Sequence, residues 1–115
     1  MPLLIGKSAF APAGKKDGVR LLVTRFKPYG LGKKDWDLWL TDLAPSKALV
    51  KGFHAGTMGW KRFASAYRKE IAGQKSLLRT LKFMSDEGRP ITLLCACAKP
   101  DQCHRRLLRD AVEKA

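Results

Sequence analysis

Acidic residues are scarce in this chain. Its 115 residues include 10 Asp and Glu against 23 Lys and Arg, a formal net charge of +13. That imbalance has the electrostatic footprint of a nucleic-acid or polyanion binder. The plainer alternative is a solvated basic surface, because the charges are spread along the whole chain. Long apolar runs are missing too. None approaches the roughly 20 residues that a membrane span needs, so no membrane partner is expected. The start, Met1-Pro2-Leu3-Leu4-Ile5-Gly6, carries no basic leader and reads as a first strand, which makes the cytoplasm the expected compartment. Cysteine is limited to Cys95, Cys97 and Cys103, all within nine positions. That pattern excludes the spread, even-numbered framework of a disulfide-stapled secreted domain. It leaves free thiols, metal ligands or a redox pair. There is no glycine-rich phosphate loop: Gly30-Leu31-Gly32-Lys33 lacks the longer pattern. A phosphatase-type loop is absent as well, since the residue six after Cys97 is Cys103 and not Arg. No internal repeat or low-complexity tract occurs.

What is present suits a globular protein, with 45% hydrophobic and 29% charged residues, and a length that fits one domain spanning 1–115. Pro2 to Ser8 and Val19 to Thr24 read as short strands. The uncharged run Ile91 to Ala96 reads as a central strand covered on both faces. Breaker clusters fall at Pro12–Gly18 and Pro28–Gly32. Between Asp35 and Leu43 the spacing is ambiguous: Trp36, Trp39, Leu40 and Leu43 suit a helix, while Trp36, Leu38 and Leu40 suit a strand. Ser46 is a good cap for a helix carrying Leu49, Val50 and Phe53. Trp60, Phe63, Tyr67 and Ile71 form a helical stripe ended by Gly73. Leu77, Leu78, Leu81 and Met84 mark a further helix stopped by Gly88. A last helix buries Leu107, Leu108, Ala111 and Val112. The expected fold is α/β, a small mostly parallel sheet of about three to four strands joined by long helical crossovers, with ligands gathering at the carboxyl ends of the strands.

One junction there concentrates chemistry. The strand Ile91–Cys97 leads through Ala98-Lys99-Pro100 into a helix beginning near Asp101, which would place Cys103 and His104 in the first turn. Helix-start amides favour negative charge and lower a thiol's pKa. Lys99, His104, Arg105 and Arg106 add positive potential. The package suits a bound phosphate, sulfate or carboxylate, with Arg25, Lys99, Arg105 and Arg106 as anion-binding candidates. It also suits an activated thiol, Cys103 or Cys97, with His104 or His54 as base. In the alternative structural reading Cys95 is a small core residue, Cys103 packs under the helix and the arginines are ordinary surface charges. A metal site is disfavoured. The cysteine spacings are not the usual zinc pairs, and adjacent residues on a helix point about 100° apart. No cofactor is implied. Trp36, Trp39, Trp60 and Tyr67 could stack on bases, but their spacing favours core packing.

Several tracts resemble a known family. Leu22-Val23-Thr24-Arg25, Pro28-Tyr29-Gly30-Leu31 and Asp37 to Ser46 are similar to the domain of unknown function 488 family. So are Phe53-His54, the Trp60/Phe63/Tyr67/Glu70 set, Thr92-Leu93-Leu94-Cys95 and the ending Cys103-His104-Arg105. The chain departs from the family at Thr24, where an Asp is usual, and at Tyr29, where an Arg is usual. The resemblance implies the α/β fold rather than an activity. It makes Arg25, Asp42, His54 and the Cys103-His104-Arg105 triplet the positions to test. Taken together, the sequence favours a phosphate- or polyanion-binding domain with nucleic acid or a phosphorylated ligand as partner. A small cytoplasmic enzyme with a thiolate cysteine, or an accessory protein without chemistry, are the alternatives.

Overall fold

A computed structural model describes residues 4–96 and 103–115. In chain order its elements are β1 (Leu4–Ser8), β2 (Val19–Leu22), β3 (Leu38–Trp39), α1 (Lys47–His54), α2 (Trp60–Ile71), α3 (Lys75–Asp86), β4 (Ile91–Cys95) and α4 (His104–Glu113). The strands form one sheet in the order β1-β4-β2-β3, and every neighbouring pair is parallel. The fold is therefore α/β. All five residues of β4 are buried, as its lack of charge predicts for a strand covered on both faces.

The two faces are covered differently. Ile91 and Leu93 join Leu4, Leu21 and Val23 in a core with Leu49, Phe63, Tyr67, Ile71, Leu78, Leu81, Leu107, Leu108 and Val112, so all four helices contribute to one side. The opposite side is smaller: Ala9, Leu22 and Leu94 meet Leu31 and Trp36 from loops. The expectation of helical crossovers throughout is thereby corrected. Only β3 and β4 are joined through α-helices; the segments before β2 and before β3 hold Pro12, Gly14 and Gly18, then Pro28, Gly30 and Gly32, which break helices.

The ambiguous tract resolves as a strand of two residues followed by a 3-10 turn at Thr41–Leu43. Leu38 pairs with Leu21 and Trp39 with Leu22. Trp36 and Trp39 therefore belong to no helical core stripe, a correction to that expectation. Trp39 is exposed and its indole N–H donates to the Thr24 carbonyl at 2.7 Å. The stripe on α2 does pack as expected, with Phe63, Tyr67 and Ile71 buried. Ser46 caps α1 by accepting the Leu49 N–H at 3.4 Å. Gly73 lies in a 3-10 turn, Ala72–Gln74, that runs directly into α3, so it bends the chain rather than opening a loop. No helix among the described residues is long and apolar enough to cross a membrane.

On the loop face a polar cluster ties the segment before β2 to the sheet. Asp17, only 3% exposed, accepts from Lys7 Nζ at 2.6 Å, from the Arg20 guanidinium and from the Gly14 N–H at 3.0 Å. The Thr92 hydroxyl donates to the Asp17 carbonyl at 2.8 Å. These contacts, the Lys7 bond above all, hold the Asp17 carboxyl down to about 2. Gly18 follows with φ +64, where a Cβ would overlap the Pro90 carbonyl, so the turn requires glycine.

Candidate functional site

The chemistry gathers where β4 ends. Ala9 N–H donates to the Cys95 carbonyl at 2.8 Å and Val23 N–H to the Leu94 carbonyl at 3.0 Å, so the flanking strands hold this end firmly. Side chains alternate along a strand. Cys95 is in phase with Ile91 and Leu93 and so faces the helices. The described chain resumes at Cys103, which caps α4 with extended backbone, φ −128° and ψ 134°; His104 is the first helical residue. The expectation of a helix starting near Asp101 with Cys103 in its first turn is corrected on this point. Asp101, Lys99 and Cys97 lie outside the described residues.

This start has a geometric consequence. A cap residue does not follow helical spacing, so the objection that Cys103 and His104 diverge by a helical step no longer applies. The Cys95 and Cys103 sulfurs are in contact across a Cα separation of 7.8 Å. A ring nitrogen of His104 and both sulfurs lie within 4.8 Å of one another, and all three residues are buried. His104 Nε2 is 2.6 Å from the Val23 carbonyl. A carbonyl only accepts, so this nitrogen carries the hydrogen. Burial, opposed by that bond and reinforced by Arg105, drives the imidazole down to about 4, and it is neutral at pH 7. Its ring stands edge-on to Tyr67 at 5.5 Å. Tyr67 is fully buried and donates its hydroxyl to the Leu43 carbonyl at 2.5 Å; burial pushes that phenol well above its ordinary range.

The basic candidates separate. Arg105 lays its stem along β1, where Gly6 has no side chain: a Cβ there would stand 3.2 Å from Arg105 Cδ. Its Nη1 is buried and has no hydrogen-bond partner among the described residues, and burial lowers its pKa. Arg106 is exposed. Arg25 is turned to main chain, with Nε donating to the Pro45 carbonyl at 3.0 Å and Nη2 to the Ala44 carbonyl at 3.4 Å. It straps the start of α1, which occupies part of its fork. His54 is the exposed last residue of α1, its ring 6.4 Å from Phe53, and it is no member of the Cys95, Cys103, His104 group. Asp42 is exposed in the turn after β3.

Cys95, weighed from sequence as a core residue or a metal ligand, is aimed at the last helix by its strand phase, shared with Ile91 and Leu93. Two participants escape a reading of the sequence alone. Tyr67 reads as core and is core, but it also forms a wall of the His104 niche. Gly6 carries no signal until Arg105 is seen lying on it.

The family model described as DUF488-N3a, the active DUF488-N3 subclade, matches residues 6–115. The uncharacterized protein YeaO of Escherichia coli (strain K12) is 32% identical over 106 residues, covering 90% of this chain and 91% of its own. The uncharacterized proteins Mb3100c of Mycobacterium bovis and Rv3073c of Mycobacterium tuberculosis are each 37% identical over 68 residues, 57% of this chain and 58% of theirs. No solved structure matches. The chain belongs to the domain of unknown function 488 family.

Proposed function

We propose that this protein binds a phosphate-bearing ligand, nucleic acid being the favoured class, beside the start of α4. The observation that carries the reading is Arg105: a guanidinium nitrogen buried without an acceptor among the described residues. Leaving a buried donor unsatisfied costs about 1–3 kcal/mol, and more when the group is charged. Such a group calls for an explanation, and an anion that supplies the acceptor is a direct one. The setting supports it, since the first turn of a helix favours negative charge, Arg106 is exposed next to it and the chain carries +13. A cytoplasmic setting is part of the proposal.

The test is binding of inorganic phosphate, single-stranded and duplex oligonucleotides across a salt series. If about five phosphates are contacted, the log–log slope is near about −4. Arg105→Gln should weaken binding by about tenfold or more and reduce the slope by about one. Gly6→Val, which crowds the Arg105 stem at unchanged net charge, should weaken it as well. Affinity that is absent at low salt, or indifferent to both variants, overturns the proposal.

A second reading, thiol chemistry at the same edge, is favoured by the convergence of Cys95, Cys103 and His104. After reduction, alkylation rates against pH test it. A thiol titrating well below the ~8.5 of free cysteine supports it, and one at or above that value removes it.

A further inference from the structure

We propose that, in the reduced protein, Cys95, Cys103 and His104 form a binding site for one thiophilic metal ion, Zn2+ being the natural occupant. Two sulfurs and an imidazole nitrogen already lie within 4.8 Å of one another. Around a tetrahedral Zn2+, with bonds of about 2.3 Å to sulfur and about 2.0–2.1 Å to nitrogen, donor atoms stand roughly 3.5–3.8 Å apart. The three donors therefore reach a common ion with small side-chain adjustments.

Several features favour an ion. The Cα atoms of Cys95 and Cys103 are 7.8 Å apart, wider than the about 4.4–6.8 Å that disulfides usually span, and a bridging ion suits that width. The donors stand at the ends of regular elements, the last residue of the central strand and the start of α4. His104 Nε2 donates to the Val23 carbonyl at 2.6 Å, so a metal ion would be taken through Nδ1. A ligating histidine held by a backbone carbonyl through its other nitrogen is the usual supporting arrangement at metal sites. Among the described residues the group offers sulfur and nitrogen donors, which favour Zn2+ over Mg2+ or Ca2+. Uptake is balanced as two thiols and Zn2+ giving a bis-thiolate complex and two released protons. The inference stands apart from the anion reading, because Arg105 is not a ligand.

The test uses the full chain, reduced with a phosphine and stripped with a chelator, then titrated with Zn2+ alone and with Co2+ alone. One ion per chain, with thiolate-to-cobalt charge-transfer bands and the visible bands of tetrahedral Co2+, is the expected result. Bound Zn2+ should release about two protons near neutral pH. Cys95→Ser, Cys103→Ser and His104→Gln should each weaken Zn2+ binding by about 100-fold or more. Since these positions are buried, folding of each variant is checked by circular dichroism, and the wild-type cobalt spectrum decides independently of them. Absence of thiolate–cobalt bands in the reduced wild type overturns the site. So do bands that persist unchanged in folded Cys95→Ser and Cys103→Ser. Loss of oligonucleotide binding in Arg105→Gln with the cobalt spectrum intact would separate this site from the anion site.

Discussion

Asp17→Asn offers a sharp test of how the loop face is held. In the native protein the Asp17 carboxylate accepts from Lys7 Nζ at 2.6 Å, the Gly14 N–H at 3.0 Å and the Arg20 guanidinium. The Asp17 and Arg20 side chains are 4% and 9% exposed, and that of Lys7 is 30% exposed. Asparagine keeps the size and one acceptor oxygen but removes the charge. Arg20 is then left buried without a counter-charge among the described residues, its partners being neutral oxygens such as the Asp35 and Ala11 carbonyls at 3.3 and 3.4 Å. Breaking one side of a buried pair costs about 3–5 kcal/mol. This cluster sits under a loop with one partner half in water, so about 2–3 kcal/mol is expected. For a chain of this length that lowers Tm by about 8–12 °C. Scanning calorimetry and urea titration at pH 7 measure it. The cycle with Arg20→Met completes it: on that background Asp17→Asn should cost under about 1 kcal/mol, because no guanidinium is left stranded. The acid limb supplies a further check. The folded carboxyl titrates at about 2 against an ordinary 3.8. The stabilisation is therefore complete above about pH 4 and drains away as pH falls toward 2. Asp17→Asn should flatten that limb. A variant as stable as wild type within about 0.5 kcal/mol, or an additive cycle, would refute the reasoning.

Other consequences are equally open to measurement. Tyr67→Phe strands the buried Leu43 carbonyl and should cost about 1–3 kcal/mol by urea titration; a neutral result would mean that water replaces the hydroxyl. Gly18→Ala places a methyl against the Pro90 carbonyl at φ +64 and should lower Tm by more than about 10 °C or prevent soluble expression. Ser46→Ala removes a cap whose bond to Leu49 is 3.4 Å long, so its cost should fall near the lower end of the usual range, about 0.5–1 kcal/mol; a larger loss would show that the tie between Ser46 N–H and Glu70 is disturbed as well.

The elements that the sequence reveals are those with one dominant local cause. The uncharged stretch Ile91–Cys95 can be covered on both faces only as a central strand. Trp60, Phe63, Tyr67 and Ile71 repeat at helical spacing and pack as that spacing requires. Ser46 has the hydroxyl that a helix start needs. What the sequence hides depends on partners far away in the chain. The tract from Asp35 to Leu43 satisfies two periods equally, and pairing with Leu21 and Leu22 decides between them. Covering one sheet face with loops is a tertiary outcome that no local period encodes. At the site, Cys103, His104 and Arg105 stand out from their charge and chemistry. Their relation to Cys95, Gly6 and Val23 depends on where α4 begins, and that start is shifted to His104. Arg25 shows the opposite case: a residue conspicuous in sequence whose side chain is engaged by the Ala44 and Pro45 carbonyls.

The most direct measurement of the central claim is a crystal structure grown with tungstate or sulfate, its anomalous map inspected around the first turn of α4. An anion accepting a hydrogen bond from Arg105 Nη1 is expected, at about 2.7–3.0 Å. A guanidinium satisfied instead by protein oxygens, with every anion peak elsewhere on the basic surface, would contradict it.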